Sequence, residues 1–294
     1  MISGKQILVT GGAGFIGSHL CEALAPNNNV ISLDNYSTGS RSNHIDGVTY
    51  IEGETADIFD LIVDRPDIVF HLGEYSRVEQ SFGEVDLVWK SNKTGTFAVL
   101  EFCKSQACKL IYAGSSTKFG DGGLGRSQSP YGWTKASNTE LVINYGAWYS
   151  LNYAITYFYN VYGPREIRSG KYATLIALFA EKMRNGEPLS VVSPGTQRRN
   201  FTYVKDVVRA LEMVGADGFG DEFGIGHEKS YSVKDIAELF GGEVVMVDPR
   251  LGNRLTADLV ADKTKSLGWT AEMSIDQYID KLRANNWVDS FSEN

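Results

Sequence analysis

The sequence predicts an α/β fold in which helices cover both faces of a doubly wound parallel sheet, with a smaller mixed α/β domain beside it. Over the first 160 residues, short apolar runs alternate with segments of helical periodicity, the order expected of βαβ units. A glycine-rich segment comes directly after the first apolar run. Beyond residue 160 the alternation becomes less regular, which indicates a change of architecture.

The predicted strands of the first domain are short, apolar and bounded by turn residues. They cover residues 7–10, 29–33, 49–51, 67–72, 109–113 and 152–158. Helical patterns separate several of them, at 16–25, 85–105 and 130–149. Because parallel strands need apolar cover on both faces, these helices complete a sheet of the predicted kind. Residues 1–159 are therefore assigned to one domain, with 200–214 returning to it.

The smaller domain is predicted to comprise residues 160–199 and 215–294. Beyond residue 160, helical patterns lie at 172–185, 204–215, 232–240 and 275–284, and short strand patterns at 200–203 and 243–247. Neither internal repeats nor low-complexity tracts interrupt these segments.

Composition excludes several functional classes. Acidic residues outnumber basic ones by 36 to 28, which disfavours nonspecific binding to nucleic acid or to an anionic membrane. Three Cys and four His without ligand spacing predict no metal site. There is no targeting signal and no apolar run of the ~18 residues that a membrane span needs. We therefore expect a cytoplasmic protein.

The glycine-rich segment has the spacing of an anion-binding turn. Gly11, Gly14 and Gly17 repeat every third residue between a strand and a helix, a variant of the usual G-x-G-x-x-G. Such a turn brings backbone and a helix N-terminus close to a pyrophosphate, although a glycine turn alone can be an ordinary connection. Asp34 ends the second strand, 23 residues after Gly11, where a carboxylate accepts from ribose hydroxyls and repels a 2′-phosphate. This combination predicts NAD as the cofactor.

A second set of residues has the chemistry of a base. Tyr131 and Lys135 lie four residues apart, on one face of a predicted helix. A nearby positive charge typically lowers a pKa by ~1–3 units, and the ordinary value for Tyr is ~10. Ser115 and Ser116 come after a strand, at the sheet edge where open α/β folds bind ligands. The Tyr–Lys pair alone is more often a surface feature; beside the glycine turn and the serines, it predicts general-base catalysis.

Taken in order, these motifs resemble the extended short-chain dehydrogenases/reductases, in their nucleotide-sugar epimerase and dehydratase group. The resemblance covers nearly the whole chain. The matching segments are 10–17, 34–39, 71–72, 92 with 95–96, 115–120, 131–135, 160–165, 199–206 and 267–269. It implies a Rossmann-type fold, an NAD cofactor, a nucleotide-sugar substrate and a homodimer.

The resemblance also implies roles for individual residues. Tyr131 would deprotonate a sugar hydroxyl, Lys135 would support its phenolate and hold the nicotinamide ribose, and Ser115 would complete the catalytic triad. Cofactor contacts are predicted at Gly11, Gly14, Phe15, Ile16, Gly17, Asp34, Asn35, Ser37, Thr38, Gly39, Glu54, Thr55, Leu72, Gly73, Asn92, Tyr131, Lys135 and Tyr159. Substrate contacts are predicted at Ser76, Arg77, Ser115, Ser116, Thr117, Asn160, Arg199 and Arg250.

The two residues directly after the triad serine predict the reaction. The 4,6-dehydratases of the family have Asp-Glu there, whereas this chain has Ser116 and Thr117, which do not act as a carboxyl pair does. We therefore expect 4-epimerisation, on a UDP-hexose. The alternatives are a 4-reductase, a dehydratase or a decarboxylase, on a GDP-, CDP- or dTDP-sugar, and a catalytically silent NAD-binding regulator. The presence of the whole triad disfavours the regulator.

Two further features have open interpretations. The family's His-Leu-Ala-Ala becomes His71-Leu72-Gly73-Glu74 here, and Glu74 either pairs with Arg77 or acts on the substrate. The helices predicted at 85–105 and 130–149 have more apolar surface than one core face needs, which favours pairing between two chains over simple burial. The apolar residues concerned are Val88, Trp89, Val142, Tyr145 and Trp148.

Overall fold

The computed structural model describes residues 2–249, 251–252 and 254–289. Within these ranges the strands are β1 Gln6–Thr10, β2 Asn29–Asp34, β3 Val48–Glu52, β4 Ile68–His71, β5 Lys109–Ser115, β6 Tyr153–Phe158, β7 Val161–Tyr162, β8 Leu189–Val192, β9 Arg198–Asn200, β10 Thr202–Tyr203, β11 Gly220–Ile225, β12 Ser230–Ser232 and β13 Val244–Val247. The α-helices are α1 Phe15–Leu24, α2 Ile58–Leu61, α3 Val85–Val88, α4 Thr96–Gln106, α5 Pro130–Tyr149, α6 Leu175–Asn185, α7 Val204–Asp217, α8 Val233–Phe240, α9 Asp262–Ser266 and α10 Ile275–Ala284.

The main sheet is parallel throughout. Within the described part of the chain it has seven strands, in the order β11-β6-β5-β4-β1-β2-β3. The chain moves outward in one direction from β1 to β3 and then restarts beside β1 with β4, so the strand order reverses between β1 and β4. Loops leave the carboxyl ends of these two strands in opposite directions and open a crevice. The Rossmann-type sheet predicted from the sequence is confirmed.

Strand β11 was not predicted from the sequence. Its segment Gly220–Ile225 contains two glycines and two acidic residues, so it lacks the continuous apolar run of a buried strand. It nevertheless pairs in parallel with β6 and forms the edge of the main sheet. Strand β11 therefore belongs to the main sheet, although it lies within 215–294, which was expected to form part of the smaller domain; the division into domains remains a prediction.

The predicted helix 85–105 contains a change of helical geometry. A π-helical segment, Trp89–Gly95, joins α3 to α4 and widens the backbone turn around Asn92. Two other predicted boundaries differ from the structure. The helix expected at 172–185 begins at Leu175, after an extended Thr174, and the strand expected at 200–203 is divided between β9 and β10.

Apolar side chains fill both faces of the main sheet. Along β5, Leu110 and Tyr112 pack with the helices on one face, whereas Ile111 packs with α1 and α7 on the other. Successive side chains of a strand point to opposite faces, so a continuous apolar run has two buried faces. A third cluster around Phe179, Phe240 and Tyr278 joins α6, α8 and α10 beside the sheet.

Candidate functional site

A cavity of about 750 Å³ opens where the strand order reverses, between the main sheet and the elements beyond residue 160. The glycine turn forms one wall. A Cβ at Gly11 would approach the Cα of Gly73 to 2.9 Å, and a Cβ at Gly17 would collide with the Gly11 carbonyl oxygen. The loops after β1 and β4 therefore touch through their backbones, which only glycine permits.

The same turn presents backbone donors. Helix α1 begins after Gly14, and no side chain caps its N-terminus. The first N–H groups of a helix have no partner within the helix, and the helix dipole favours negative charge there. Uncapped donors and the absence of Cβ atoms make a cradle for a pyrophosphate. The turn therefore fits the dinucleotide predicted from the sequence.

Asp34 stabilises the far end of this cradle. Its Oδ2 accepts from the backbone N–H of Ala13 at 2.9 Å, and its Oδ1 accepts from that of Tyr36 at 2.8 Å. Burial raises the pKa of this carboxyl, and the backbone donors offset part of the effect. Gly39 packs directly against Oδ1. Asp34 thus links the glycine turn to the loop after β2 and still faces the cavity.

The predicted triad meets across the cavity from the glycine turn. Ser129 caps α5 by accepting from the N–H of Gly132 at 3.0 Å, with Pro130 in the first turn. This start places Tyr131 so that its hydroxyl donates to Ser115 Oγ at 3.1 Å. Ser115, the last residue of β5, also accepts from Thr117 Oγ1 at 2.9 Å. Phenol and hydroxyls thus form one chain of hydrogen bonds.

Lys135 lies one helical turn after Tyr131 and is buried. Its ammonium donates to the backbone carbonyl of Ala113 and forms an ion pair with Glu74. Arg77 instead donates to the carbonyl of Tyr172, at 2.8 and 3.1 Å. The structure therefore pairs Glu74 with Lys135, not with Arg77.

Two further arginines, Arg199 and Arg254, line the cavity, and only Arg199 was predicted from the sequence. Arg254 donates to Ser116 Oγ at 3.1 Å, and no described residue accepts from its buried Nη1. Arg199 donates to the carbonyl of Arg254 at 2.6 Å. Burial and the charge of Arg254 lower the pKa of Arg199 to about 10. Arg250, which was also predicted to contact the substrate, lies outside the described residues.

Most of the predicted contacts share this one cavity. It is lined by Gly11, Gly14, Phe15, Ile16, Gly17, Asp34, Asn35, Ser37, Thr38, Glu54, Thr55, Leu72, Gly73, Ser76, Arg77, Ser115, Ser116, Thr117, Tyr131, Lys135, Asn160 and Arg199. Gly39, Asn92 and Tyr159 are not part of this lining. Asn92 is fully buried and donates to Thr134, and the Tyr159 hydroxyl donates to the carbonyl of Asp258.

Sequence reasoning missed Glu166 as well as Arg254. Glu166 lines the cavity, and its Oε2 accepts from the N–H of Gly163 at 2.9 Å. Burial raises the pKa of this carboxyl to about 7. Glu166 directly follows the segment 160–165, which resembles the family, and this position was the available signal that Glu166 belongs to the site. Arg254 had no comparable local signal.

The described residues form neither a metal site nor a membrane-spanning helix. In the ranges 2–249, 251–252 and 254–289, no group of three or more His, Cys, Asp or Glu is placed to hold a metal ion. Over the same ranges, no helix combines the length and the apolar character needed to cross a membrane.

A doubly wound sheet with an anion cradle at its reversal point defines a dinucleotide-binding protein of the Rossmann class. Residues 7–226 match the model of the NAD dependent epimerase/dehydratase family, and the chain belongs to this family. Its members are NAD-dependent enzymes that act on nucleotide sugars, and solved structural neighbours contain NAD. The cofactor predicted from the sequence is thereby confirmed.

Relatives cover nearly the full chain. A Methanocaldococcus jannaschii protein, whose own assignment as a UDP-glucose 4-epimerase is provisional, is 32% identical over 96% of this chain and 98% of its own length. The UDP-glucose 4-epimerase of Thermotoga maritima, solved with UDP-glucose, is 29% identical over 95% of this chain and 99% of that one, with a TM-score of 0.86. A Bacillus cytotoxicus UDP-N-acetyl-alpha-D-glucosaminuronate decarboxylase is 31% identical over 80% of this chain and 78% of its own.

Proposed function

We propose that this protein is an NAD-dependent nucleotide-sugar 4-epimerase and that its substrate is a UDP-hexose. The hydrogen bond of 3.1 Å between Tyr131 and Ser115, in the cavity that also contains the glycine turn, is the observation that carries the proposal. It puts a phenol and a proton-relaying hydroxyl in the cavity that would hold the cofactor. Similarity to UDP-glucose 4-epimerases over almost the whole chain supports the same substrate class.

The residues of the triad have different roles in proton transfer. Tyr131 removes the proton from the sugar 4-hydroxyl and later returns one, and Ser115 hydrogen-bonds the oxygen that changes charge. Thr117 keeps Ser115 oriented through its 2.9 Å hydrogen bond. NAD, when bound, supplies the hydride acceptor and donor for C4. Because the 4-keto sugar has a planar C4, hydride return to the opposite face gives the epimer.

Arg199 and Arg254 are suited to the nucleotide diphosphate. Each guanidinium is largely buried, and Arg254 Nη1 has no described acceptor, so an anion entering the cavity would satisfy it. Guanidinium groups bind phosphate oxygens through paired N–H donors. Asn160 adds an amide at this side of the cavity, held by donation to the carbonyl of Asn200 at 3.1 Å. Together these groups would hold the diphosphate and orient the sugar.

Dehydration is the main competing reaction, since relatives of this chain include trifunctional proteins with 4,6-dehydratase activity. Water loss needs an acid and a base beside the sugar, in addition to the triad tyrosine. The two residues after Ser115 have hydroxyl groups, and both are occupied: Ser116 by Arg254 and Thr117 by Ser115. This local chemistry favours epimerisation over dehydration.

Proton NMR of the purified protein with NAD and a panel of UDP-, GDP-, CDP- and dTDP-sugars tests the proposal. We expect a UDP-hexose to give its C4 epimer without net formation of NADH. A 4-keto or decarboxylated product would replace the proposal with the corresponding activity. No change with any sugar of the panel would reject the proposed substrate and reaction. The Tyr131→Phe variant serves as the control for enzyme-dependent turnover.

We further propose that the active form is a homodimer. Of the apolar residues predicted for its interface, Val88, Val142 and Tyr145 are buried within this chain, so they do not form a free surface. Trp89 and Trp148 are exposed, and Trp89 stacks on Trp133 with ring centroids 5.9 Å apart. Exposed aromatic side chains on neighbouring helices are typical of protein interfaces.

Light scattering tests the proposed dimer. The protein is expected to have twice the mass of one chain, and a variant with Trp89→Ser and Trp133→Ser is expected to shift toward one chain. A wild-type protein with the mass of a single chain would contradict the dimer. Phe219→Ser, which alters an exposed aromatic residue beside β11 at the edge of the main sheet, serves as the control.

A further inference from the structure

The carboxylate of Glu74 is the partner of Lys135, one helical turn from Tyr131. The side chains of Glu74 and Lys135 are only 3% and 5% exposed, respectively, and form a direct ion pair. Tyr131 lies one helical turn before Lys135 on α5, both residues line the cavity, and the Tyr131 hydroxyl donates to Ser115. Lys135 therefore has Glu74 as its carboxylate partner and Tyr131 as its neighbour on the same helix face.

Side chains from several elements donate hydrogen bonds to the Glu74 carboxylate. Its Oε1 accepts from Thr96 Oγ1 at 2.8 Å, from Asn138 Nδ2 at 3.1 Å and from the Tyr112 hydroxyl at 3.2 Å. Its Oε2 is left for Lys135. Burial acts to raise the pKa of Glu74, but the charge of Lys135 and the hydrogen bonds from Lys135 and Thr96 outweigh it and hold the pKa below its ordinary value. Glu74 is thus anionic at neutral pH.

The other titratable groups around this cluster come from several elements. On β4, His71 is fully buried, and burial lowers its pKa to about 4, so it is neutral at physiological pH. Lys93, on the π-helical segment, donates to Ser137 and Asn138. Tyr112, on β5, donates to Glu74, and burial raises its pKa well above the ordinary value. The Lys135 ammonium also lies 4.6 Å from the centre of the Tyr112 ring. None of these three groups is an anion at neutral pH, so Glu74 is the anion that Lys135 contacts.

Two cations on the cavity side face Tyr131. Arg77 and Arg254 both interact electrostatically with this phenol. Arg77 is held by the carbonyl of Tyr172 and Arg254 by Ser116, so neither replaces Lys135 as the partner of Glu74. Both are positive charges near Tyr131, and Glu74 is the carboxylate that contacts the third nearby cation, Lys135.

We propose that Glu74 is a positioning residue that shares the Lys135 ammonium with Tyr131 and thereby sets the pH at which Tyr131 ionises. The carboxylate holds Lys135 in place and at the same time offsets the positive charge that would stabilise a phenolate. When the carboxyl charge is removed, the phenolate becomes the anionic partner of Lys135. The inference rests on the proposed function only in treating Tyr131 as the base.

The test is a spectroscopic pH titration of the Tyr131 phenol, without sugar substrate. Phenolate absorbance is recorded for the wild-type protein and for Glu74→Gln, each with and without NAD. The absorbance of the same protein with the additional change Tyr131→Phe is subtracted in each case. The difference is the signal of Tyr131 alone among the 15 Tyr residues. We expect the midpoint of Glu74→Gln to be lower by about one pH unit or more. An unchanged or higher midpoint overturns the inference.

Glu101→Gln provides a matched control. Glu101 also lies between a tyrosine and a lysine, since it accepts from Tyr145 at 2.6 Å and pairs with Lys104, but it lies on α4, away from the cavity. It should leave the Tyr131 midpoint unchanged. Glu74→Ala is the second variant if the glutamine variant does not fold, and the same lowering is expected.

A purely structural role for Glu74 gives a different result. The variants would then melt at lower temperature, but the titration midpoint of Tyr131 would remain that of the wild-type protein. Because no sugar is used, the titration separates this inference from the proposed function. If no sugar of the panel is converted but the Tyr131 midpoint of Glu74→Gln is lowered, only the epimerase proposal is rejected. If a UDP-hexose is epimerised but the midpoint is unchanged, only the role of Glu74 is rejected.

Discussion

Replacing Gly11 with alanine tests the backbone contact on which the cofactor cradle depends. Gly11 has a φ of +76°, and a Cβ there would lie 2.9 Å from both the Cα and the N of Gly73. Carbon atoms pack at about 3.5–4.0 Å, so this contact is too close by more than half an ångström. Both atoms belong to backbone, and rotation of a side chain cannot relieve the collision. The loops after β1 and β4 must separate.

The expected cost has three parts. A left-handed conformation costs a non-glycine residue about 1–2 kcal/mol. Overpacking a close contact adds about 1–3 kcal/mol. Alanine also reduces the conformational entropy of the unfolded chain, which stabilises the folded state by about 0.4–1 kcal/mol. The free energy of unfolding should therefore fall by about 1–5 kcal/mol.

Gly47→Ala is the matched control. Gly47 has a φ of +83°, but a Cβ there would have no neighbour within 4 Å. It experiences the same conformational strain and the same entropy change without the collision, so a net loss of about 1 kcal/mol or less is expected. Urea unfolding of both variants measures the difference, and calorimetry measures NAD affinity. Equal losses in the two variants, or undiminished NAD binding by Gly11→Ala, would refute the contact argument.

Three further predictions concern the cavity. Tyr131→Phe should bind NAD as the wild-type protein does but lose turnover by about 10²–10⁴-fold in the NMR assay, and unchanged turnover would remove Tyr131 as the base. Arg254→Ala should weaken UDP binding by about tenfold or more in calorimetry, since a charged hydrogen bond contributes about 1.5–3 kcal/mol; wild-type affinity would exclude Arg254 from the diphosphate site. Burial raises the pKa of Glu166 from about 4.5 in the unfolded chain to about 7 in the folded protein, so folding favours the protonated carboxyl. The contribution of this carboxyl to the free energy of unfolding is therefore complete below about pH 4.5 and is lost as the pH rises through 7. Relative to Glu166→Gln, wild-type stability in urea should fall by about 3 kcal/mol between pH 4.5 and 8, and parallel pH profiles would contradict this assignment.

Local sequence signals predicted much of the main sheet. Strands β1, β2, β4, β5 and β6 have continuous apolar runs because both of their faces are buried, and a run of this kind is visible without knowledge of any neighbour. The edge strand β3 is only partly buried. The glycine turn was visible for a similar reason, since positive φ and close backbone approach require glycine at that place. The edge strand β11 lacked such a signal, because its pairing with β6 depends on backbone hydrogen bonds that many sequences can make.

The sequence by itself determined the elements, the cofactor cradle and the Tyr131–Lys135 spacing, because each depends on residues a few positions apart. Only the tertiary structure decided which distant groups meet. Glu74 and Lys135 are 61 residues apart and pair because β4, β5 and α5 converge at one sheet edge. Arg254 reaches Ser116 across 138 residues, and Asn92 and Tyr159 donate to Thr134 and to the carbonyl of Asp258, outside the lining of the cavity. Such contacts depend on how strands and helices assemble, and residue spacing along the chain does not encode them.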